Sequence, residues 1–185
     1  MSPPEPIAVS SRRAYTGKVI AVDVDTVRGP SGETFDLEII RHAGAAAVVP
    51  VLSDLTSPDP ALLLIRHFRH AAGGSIWEVP AGVLKPGESP EACARRELTE
   101  ETGATAGRIE RLTTILTTPG FTDERIHLFL ATELAAGEPN REHDEFIEVE
   151  TVPLSRALGM IEKGEIQDGK TIAALLFLAG FRMGW

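Results

Sequence analysis

Glu97, Glu100 and Glu101 place three carboxylates within five residues of one another. If that stretch is helical, positions three and four apart share a face, so Glu97 and Glu101 point the same way with Glu100 beside them. Like charges that close repel, and a hard divalent cation that takes oxygen ligands removes the penalty. A solvated acidic helix face is the plainer alternative for an isolated Glu-x-x-Glu-Glu, and the flanks decide between the two. Ser89-Pro90-Glu91 reads as a helix start: a side-chain cap, proline at the first helical position, then an acid near the positive helix end. Gly103 reads as the stop. Pro80-Ala81-Gly82 and Lys85-Pro86-Gly87-Glu88 form a loop ahead of the helix, with two glycines that let backbone approach a ligand closely.

From Gly82 to Ala104 the sequence GVLKPGESPEACARRELTEETGA resembles the Nudix box. Gly82, Glu88, Arg96, Glu97, Glu100, Glu101 and Gly103 fill its fixed positions, and Leu98 and Ala104 its two apolar ones. The resemblance implies an α/β/α sandwich with a mixed sheet. It also implies cleavage of a nucleoside diphosphate linked to another group, assisted by Mg2+ or Mn2+, with two to three ions per site. Hard divalent ions suit carboxylate and carbonyl ligands, so Glu97 and Glu101 are assigned as the principal ligands and Glu100 as a third. By resemblance the Ala81 carbonyl is another, and Glu88 pairs with Arg96 to brace the loop against the helix.

Residues outside the box must choose the substrate. Pro119 stands sixteen residues after Gly103, within Thr118-Pro119-Gly120-Phe121-Thr122-Asp123-Glu124. This context is similar to the ADP-ribose pyrophosphatase branch. So are Ile65-Arg66-His67-Phe68-Arg69 and the entry Trp77-Glu78-Val79-Pro80-Ala81-Gly82. Arg69 can hold a diphosphate by a forked contact that lysine cannot copy. By resemblance Glu78 meets the adenine edge or ribose and Glu124 a terminal-ribose hydroxyl, with Gly82, Val83 and Thr118 completing the substrate-facing set. The products would be AMP and ribose 5-phosphate. A broader nucleoside diphosphate-sugar or dinucleotide pyrophosphatase is the neighbouring alternative, with GDP-mannose as one such substrate.

The branch resemblance also implies a homodimer whose N-terminal hairpin reaches the neighbour's site. Tyr15 is a candidate aromatic face for adenine, and Phe35 is expected in the core. Glu38 and Arg41 fit positions that line the shared site in relatives. The general base is sought among Glu142, Asp144 and Glu145, and Glu145 is chosen because it directly precedes an apolar strand start; His143 ranks below them. Two readings from other classes are weaker. A ligand-sensing regulator would usually append a DNA-binding domain, and only a short tail follows the last predicted helix. An isomerase of allylic diphosphates needs a catalytic cysteine, and Cys93 sits inside the box helix.

The elements that must position these groups follow from pattern. Residues 1–10 read as a flexible tail and 11–42 as an N-terminal antiparallel β-hairpin and dimerisation region, built from strands Lys18–Val27 and Thr34–His42. The remainder, 43–185, reads as the hydrolase domain. Ala43–Leu52 and Ala61–Phe68 are apolar runs expected as buried strands. Further strands are expected at Ser75–Val79, Arg108–Thr117, Ile126–Glu133 and Phe146–Val152. Helices are expected at Pro90–Thr102, from Pro153 to Lys163, and from Gly169, capped by Asp168, to about Phe181. His67 and His70 would face opposite sides of one strand. At 43% hydrophobic the chain has enough apolar residues for a core, and a net charge of −9 argues against nucleic acid or anionic lipid as partners. The single cysteine fits a reducing compartment and a buried structural role, so the cytoplasm is expected.

Overall fold

A computed structural model describes residues 5–140 and 146–184. They fall into two compact units. One takes the chain up to Gly44 together with Leu116–Arg125; the other takes Ala45–Ile115 and the chain from Ile126 onward.

The smaller unit is a three-stranded antiparallel sheet in the order β1 (Ile7–Thr16), β2 (Ile20–Arg28), β3 (Thr34–His42). The hairpin expected from sequence is therefore only two-thirds of it. The flexible tail expected over 1–10 is corrected from Ile7 onward, where β1 begins and pairs with Arg28 of β2. Pattern missed this strand because every residue of β1 is exposed, so no buried face imposes an alternation. Phe35, expected in the core, is 41% exposed instead. Charge fills the place a core would hold: Arg41 donates to Asp23 and Asp25 across the sheet, and Arg13 takes the other side of Asp23. Hydrogen bonds hold both aspartates below the usual carboxylate range, first from Arg13 and then Arg41 for Asp23, and first from Ser11 and then Arg41 for Asp25.

The larger unit is layered, and its central strand β4 (Ala45–Pro50) shows how. All six residues are buried, and successive side chains leave on opposite faces. Ala45, Ala47 and Val49 join one core cluster with Leu62, Leu64, Leu128 and helix residues Leu154 and Leu175. Ala46 and Val48 join a second cluster with Leu63, Phe129, Cys93 and Leu98. Strand β5 (Ala61–Arg69) lies between β10 (Ile147–Pro153) and β6 (Gly74–Glu78), antiparallel to both. The second sheet runs β7 (Ala81–Val83), β4, β9 (Arg125–Ala135), β8 (Thr105–Leu116), with β4 parallel to β9 and antiparallel to β7. The expected mixed sheet between helices is thus present as two sheets, tied by a bridge between Val51 and Leu62. Helix α1 (Pro90–Thr102) covers one face; α2 (Leu154–Glu162) and α3 (Gly169–Phe177) pack on the other. The last helix does not run regularly to Phe181: it turns into a π-helical segment at Leu178–Met183.

Helix α1 is set by its ends. Ser89 accepts from the Ala92 N–H at 3.2 Å, and Pro90 occupies the first turn. Gly103 closes it in the left-handed region at φ 78°, where a Cβ would also sit 2.5 Å from the Gly137 carbonyl oxygen. Glycine is required there twice, by conformation and by space.

Candidate active site

Helix α1 buries Glu97 and Glu101 beside the apolar Cys93, Ala94 and Leu98. Burying a carboxylate is costly unless polar groups meet it, and strand β7 supplies them. The Ala81 N–H donates to Glu101 Oε2 at 3.0 Å. Beside it, a Cβ added at Gly82 would stand 1.8 Å from Glu97 Oε1. The segment Pro80–Gly82, expected as loop, is thus partly a short strand paired to Ala46 and Ala47 of β4. Its glycine leaves the room in which the Glu97 carboxylate lies.

Arg96 crosses the acids. It grips Glu88 with a two-pronged contact, Nε to Oε1 at 2.8 Å and Nη2 to Oε2 at 2.9 Å, and so makes the expected brace. It also reaches the Val83 carbonyl at 3.2 Å and, through Nη1, both Glu97 and Glu100, the latter at 2.9 Å. The hydrogen bonds from Arg96 hold the Glu88 carboxyl at about 2, and the acids in turn push the guanidinium pKa up. Lys85 lies 3.9 Å from Glu100. Among the described residues no three acidic, histidine or cysteine side chains already close on one point as a metal site. Arg96 instead bridges two of the acids. The donor set itself, carboxylates and backbone carbonyl, suits a hard divalent ion, and glycine at 82 lets the Glu97 carboxylate lie against the strand that carries the Ala81 carbonyl.

A second charged group stands at the end of β6. Glu78 is 2% exposed. Arg69 Nε donates to its Oε2 at 2.8 Å, and Lys170 of α3 donates to its Oε1. Lys170 also lies 3.0 Å from Asp168, which caps α3 by accepting from the Thr171 N–H. Any contact of Glu78 with a ligand therefore competes with two cations already in place. His67 stands nearby on β5, and burial first, then Arg69, pushes its pKa down. His70 does not oppose it across a strand, because the chain leaves β5 for a 3-10 turn at His70–Ala72.

The other candidates are placed as follows. Thr118 and Glu124 belong to the smaller unit. The Thr118 carbonyl accepts from the N–H groups of Phe121 and Thr122, and Glu124 lies 3.4 Å from His42. Arg41 is engaged with Asp23, Asp25 and Asp123, and Tyr15 is 57% exposed. Cys93 is fully buried, and desolvation pushes its thiol up to about 12, so it offers no ready thiolate. Glu142, His143, Asp144 and Glu145 lie outside the described residues.

Glu97 and Glu101 are thus buried against the Gly82-containing strand, and Arg96 ties Glu88 to the helix. Residues 41–175 match the NUDIX domain family model. The chain belongs to the NUDIX family. Over 172 residues this NUDIX protein is 41% identical to an ADP-ribose pyrophosphatase of Bacillus subtilis (strain 168), covering 92% of this chain and 90% of that one. Over 180 residues it is 34% identical to an ADP-ribose pyrophosphatase of Mycobacterium tuberculosis (strain ATCC 25618 / H37Rv), covering 96% and 84%. A solved structure described as an ADP compounds hydrolase superposes with a TM-score of 0.84 at 20% identity, covering 100% of this chain and 97% of that one, and so shares the fold.

Lys170 and His67 were not among the residues singled out from sequence. Lys170 is 92 positions from the glutamate it holds, and nothing local marks such a pairing.

Proposed function

We propose that this NUDIX protein hydrolyses the diphosphate bridge of ADP-ribose, releasing AMP and ribose 5-phosphate. The observation that carries the reading is the convergence of buried Glu97 and Glu101 on the Ala81–Gly82 backbone. The two relatives named for this activity supply the substrate. Glu97, Glu100, Glu101 and the Ala81 carbonyl are the groups that would hold Mg2+ or Mn2+, two to three ions in all. Bound there, such ions neutralise phosphoryl charge and acidify a water. The chain's own residues do the rest. Glu88 and Arg96 fix the loop against the helix. Arg69 presents a guanidinium to the diphosphate, and Gly82 and Val83 offer a strand end that backbone-close groups can approach. Glu124 and Thr118 recognise the terminal ribose. Glu145 is the proposed base, on the strength of its place directly before the chain segment leading into β10.

We further propose a cytoplasmic homodimer formed through the smaller unit. What supports it is β1: an edge strand, exposed throughout, in a unit that also exposes Ile7, Val9, Val19, Phe35 and Leu37. Such unpaired edges and apolar patches mark interfaces. No helix among the described residues is long and apolar enough to cross a membrane.

The test is a substrate panel with purified protein and Mg2+ or Mn2+, read by chromatography of nucleotide products. AMP from ADP-ribose is the expected result, abolished by chelator and reduced in Glu145→Gln. Turnover of GDP-mannose or dinucleotides with ADP-ribose left intact would replace the substrate and keep the chemistry. A monomer in sedimentation would remove the dimer.

A further inference from the structure

Glu101 on α1 and Glu78 on β6 are both buried carboxylates, and the imidazole of His67 stands between them. Its Nδ1 lies 3.8 Å from Glu101 Oε1 and 3.6 Å from Glu78 Oε2. Both distances are too long for hydrogen bonds. The same Nδ1 is buried and makes no hydrogen bond to any described residue. Leaving a buried polar atom unpaired is costly, and such an atom calls for an explanation. Packing alone does not supply one, because an apolar side chain of similar volume would fill the space without that cost.

Strand register aims the ring. Side chains on β5 alternate, so His67 shares its face with Leu63. Leu63 packs in the cluster that includes Cys93, Ala94 and Leu98 of α1. His67 therefore faces the helix that carries Glu101. Glu101 is already fixed at one oxygen by the Ala81 N–H. The other oxygen, Oε1, is the one that faces His67.

We propose that His67 is a positioning residue of the cation cradle, its Nδ1–H poised to orient the Glu101 carboxylate through Oε1, with Glu78 Oε2 beside the same Nδ1. The inference rests on the proposed role of Glu97, Glu100 and Glu101 in holding divalent ions. A neutral donor suits this position. Arg96 already spends its guanidinium on Glu97 and Glu100. A second full cation against Glu101 would compete with the metal for the same charge. An uncharged ring directs the carboxylate and leaves its charge to the ion, which is how partners of metal-ligating carboxylates commonly act. Glu78, by contrast, has Arg69 and Lys170 as its counter-ions and does not need the ring for charge.

The test is Mn2+ binding by isothermal titration calorimetry on the full-length protein without substrate, with melting in EDTA recorded for each variant. His67→Phe fills the ring's volume without a donor, and His67→Asn returns an amide N–H near the Nδ1 position. We expect His67→Phe to weaken Mn2+ binding by about 10-fold or more, with melting in EDTA no lower than wild type, and His67→Asn to recover most of the affinity. Should the Phe variant not fold, His67→Leu is the apolar substitute under the same expectation. Unchanged Mn2+ affinity in the apolar variant overturns the inference, and so does an Asn variant that binds as weakly as the apolar one. A wild-type protein that takes up no Mn2+ fails differently: it overturns the proposed function itself.

Discussion

At α1 and the loop before it, Glu88, Glu97 and Glu100 share the single guanidinium of Arg96, with Lys85 at the margin. At the end of β6 the proportions reverse, and one carboxylate, Glu78, holds both Arg69 and Lys170. The first region carries more negative charge than its own cations cancel, and burial of Glu97 and Glu101 sharpens the deficit because screening by water is weak there. The second is balanced: Arg69 and Lys170 face Glu78 and, beside Lys170, Asp168. An acid-rich region adjoining one that holds its own cations, with His67 near both, fits the proposed ligand, a diphosphate arriving with divalent ions. On the proposed function the acids would hold the ions and Arg69 would meet the phosphate oxygens. Neither region alone would explain why the fold keeps so many charges out of water.

The largest effect should come from Glu101→Gln. The substitution keeps shape and retains an oxygen to accept the Ala81 N–H, while removing a charged ligand. Metal assistance is worth several kcal/mol, so kcat for ADP-ribose should fall by about 1,000-fold or more, with Mn2+ affinity falling alongside. Melting in EDTA should move little. A variant with near-normal kcat would show that the acidic region is not where the ions act, and the comparison would break there.

Arg69→Lys probes the other side. Lysine keeps the charge and loses the fork that matches a diphosphate. We expect KM for ADP-ribose to rise by about 10-fold, equivalent to about 1.4 kcal/mol, with Mn2+ affinity in the absence of substrate unchanged. Steady-state kinetics paired with calorimetry separates the two readouts. If Arg69→Lys weakened Mn2+ as Glu101→Gln should, the two regions would be one site and the division of labour would be lost.

How far such a site can be read from sequence depends on the length of its contacts. The acids of α1, the Ser89 cap and the Gly103 stop lie within one helix, where spacing alone puts Glu97 and Glu101 on one face. The brace is eight residues long, from Glu88 to Arg96, and was legible through the motif. Glu78 was singled out as a ligand contact, yet its partner Lys170 comes from the far end of the chain, and its burial between two cations is visible only in three dimensions. His67 and His70, three apart, read as opposite faces of one strand; a 3-10 turn beginning at His70 removes that premise. Strand β7 was hidden by its length, three residues of Ala-Gly-Val that read as loop. Strand β1 was hidden by exposure, since a strand with no buried face carries no period. The layered core shows the opposite case: a continuous apolar run such as Ala45–Val49 announces a strand covered on both sides, and it is one.

The smallest effect should come from Glu88→Gln, and its signature is a pH dependence. Arg96 holds the Glu88 carboxyl at about 2, below the ordinary value near 4.3. A depressed folded-state pKa means that the stabilisation is fully present above the ordinary value and is lost as pH falls from there toward 2. The contribution is bounded at about 3 kcal/mol. Wild type should therefore lose melting temperature between about pH 5 and pH 2 more steeply than Glu88→Gln, which starts lower at pH 7 and stays flatter across that window. Differential scanning calorimetry across that range reads both slopes. Parallel slopes would mean that Arg96 is held mainly by Glu97 and Glu100, and that the guanidinium is a permanent lid on the acids. Converging slopes would mean that Glu88 is what draws Arg96 aside. In that case Glu88→Gln should also weaken Mn2+ by less than about 10-fold, because an arginine freed from its brace competes for the very oxygens the ion needs.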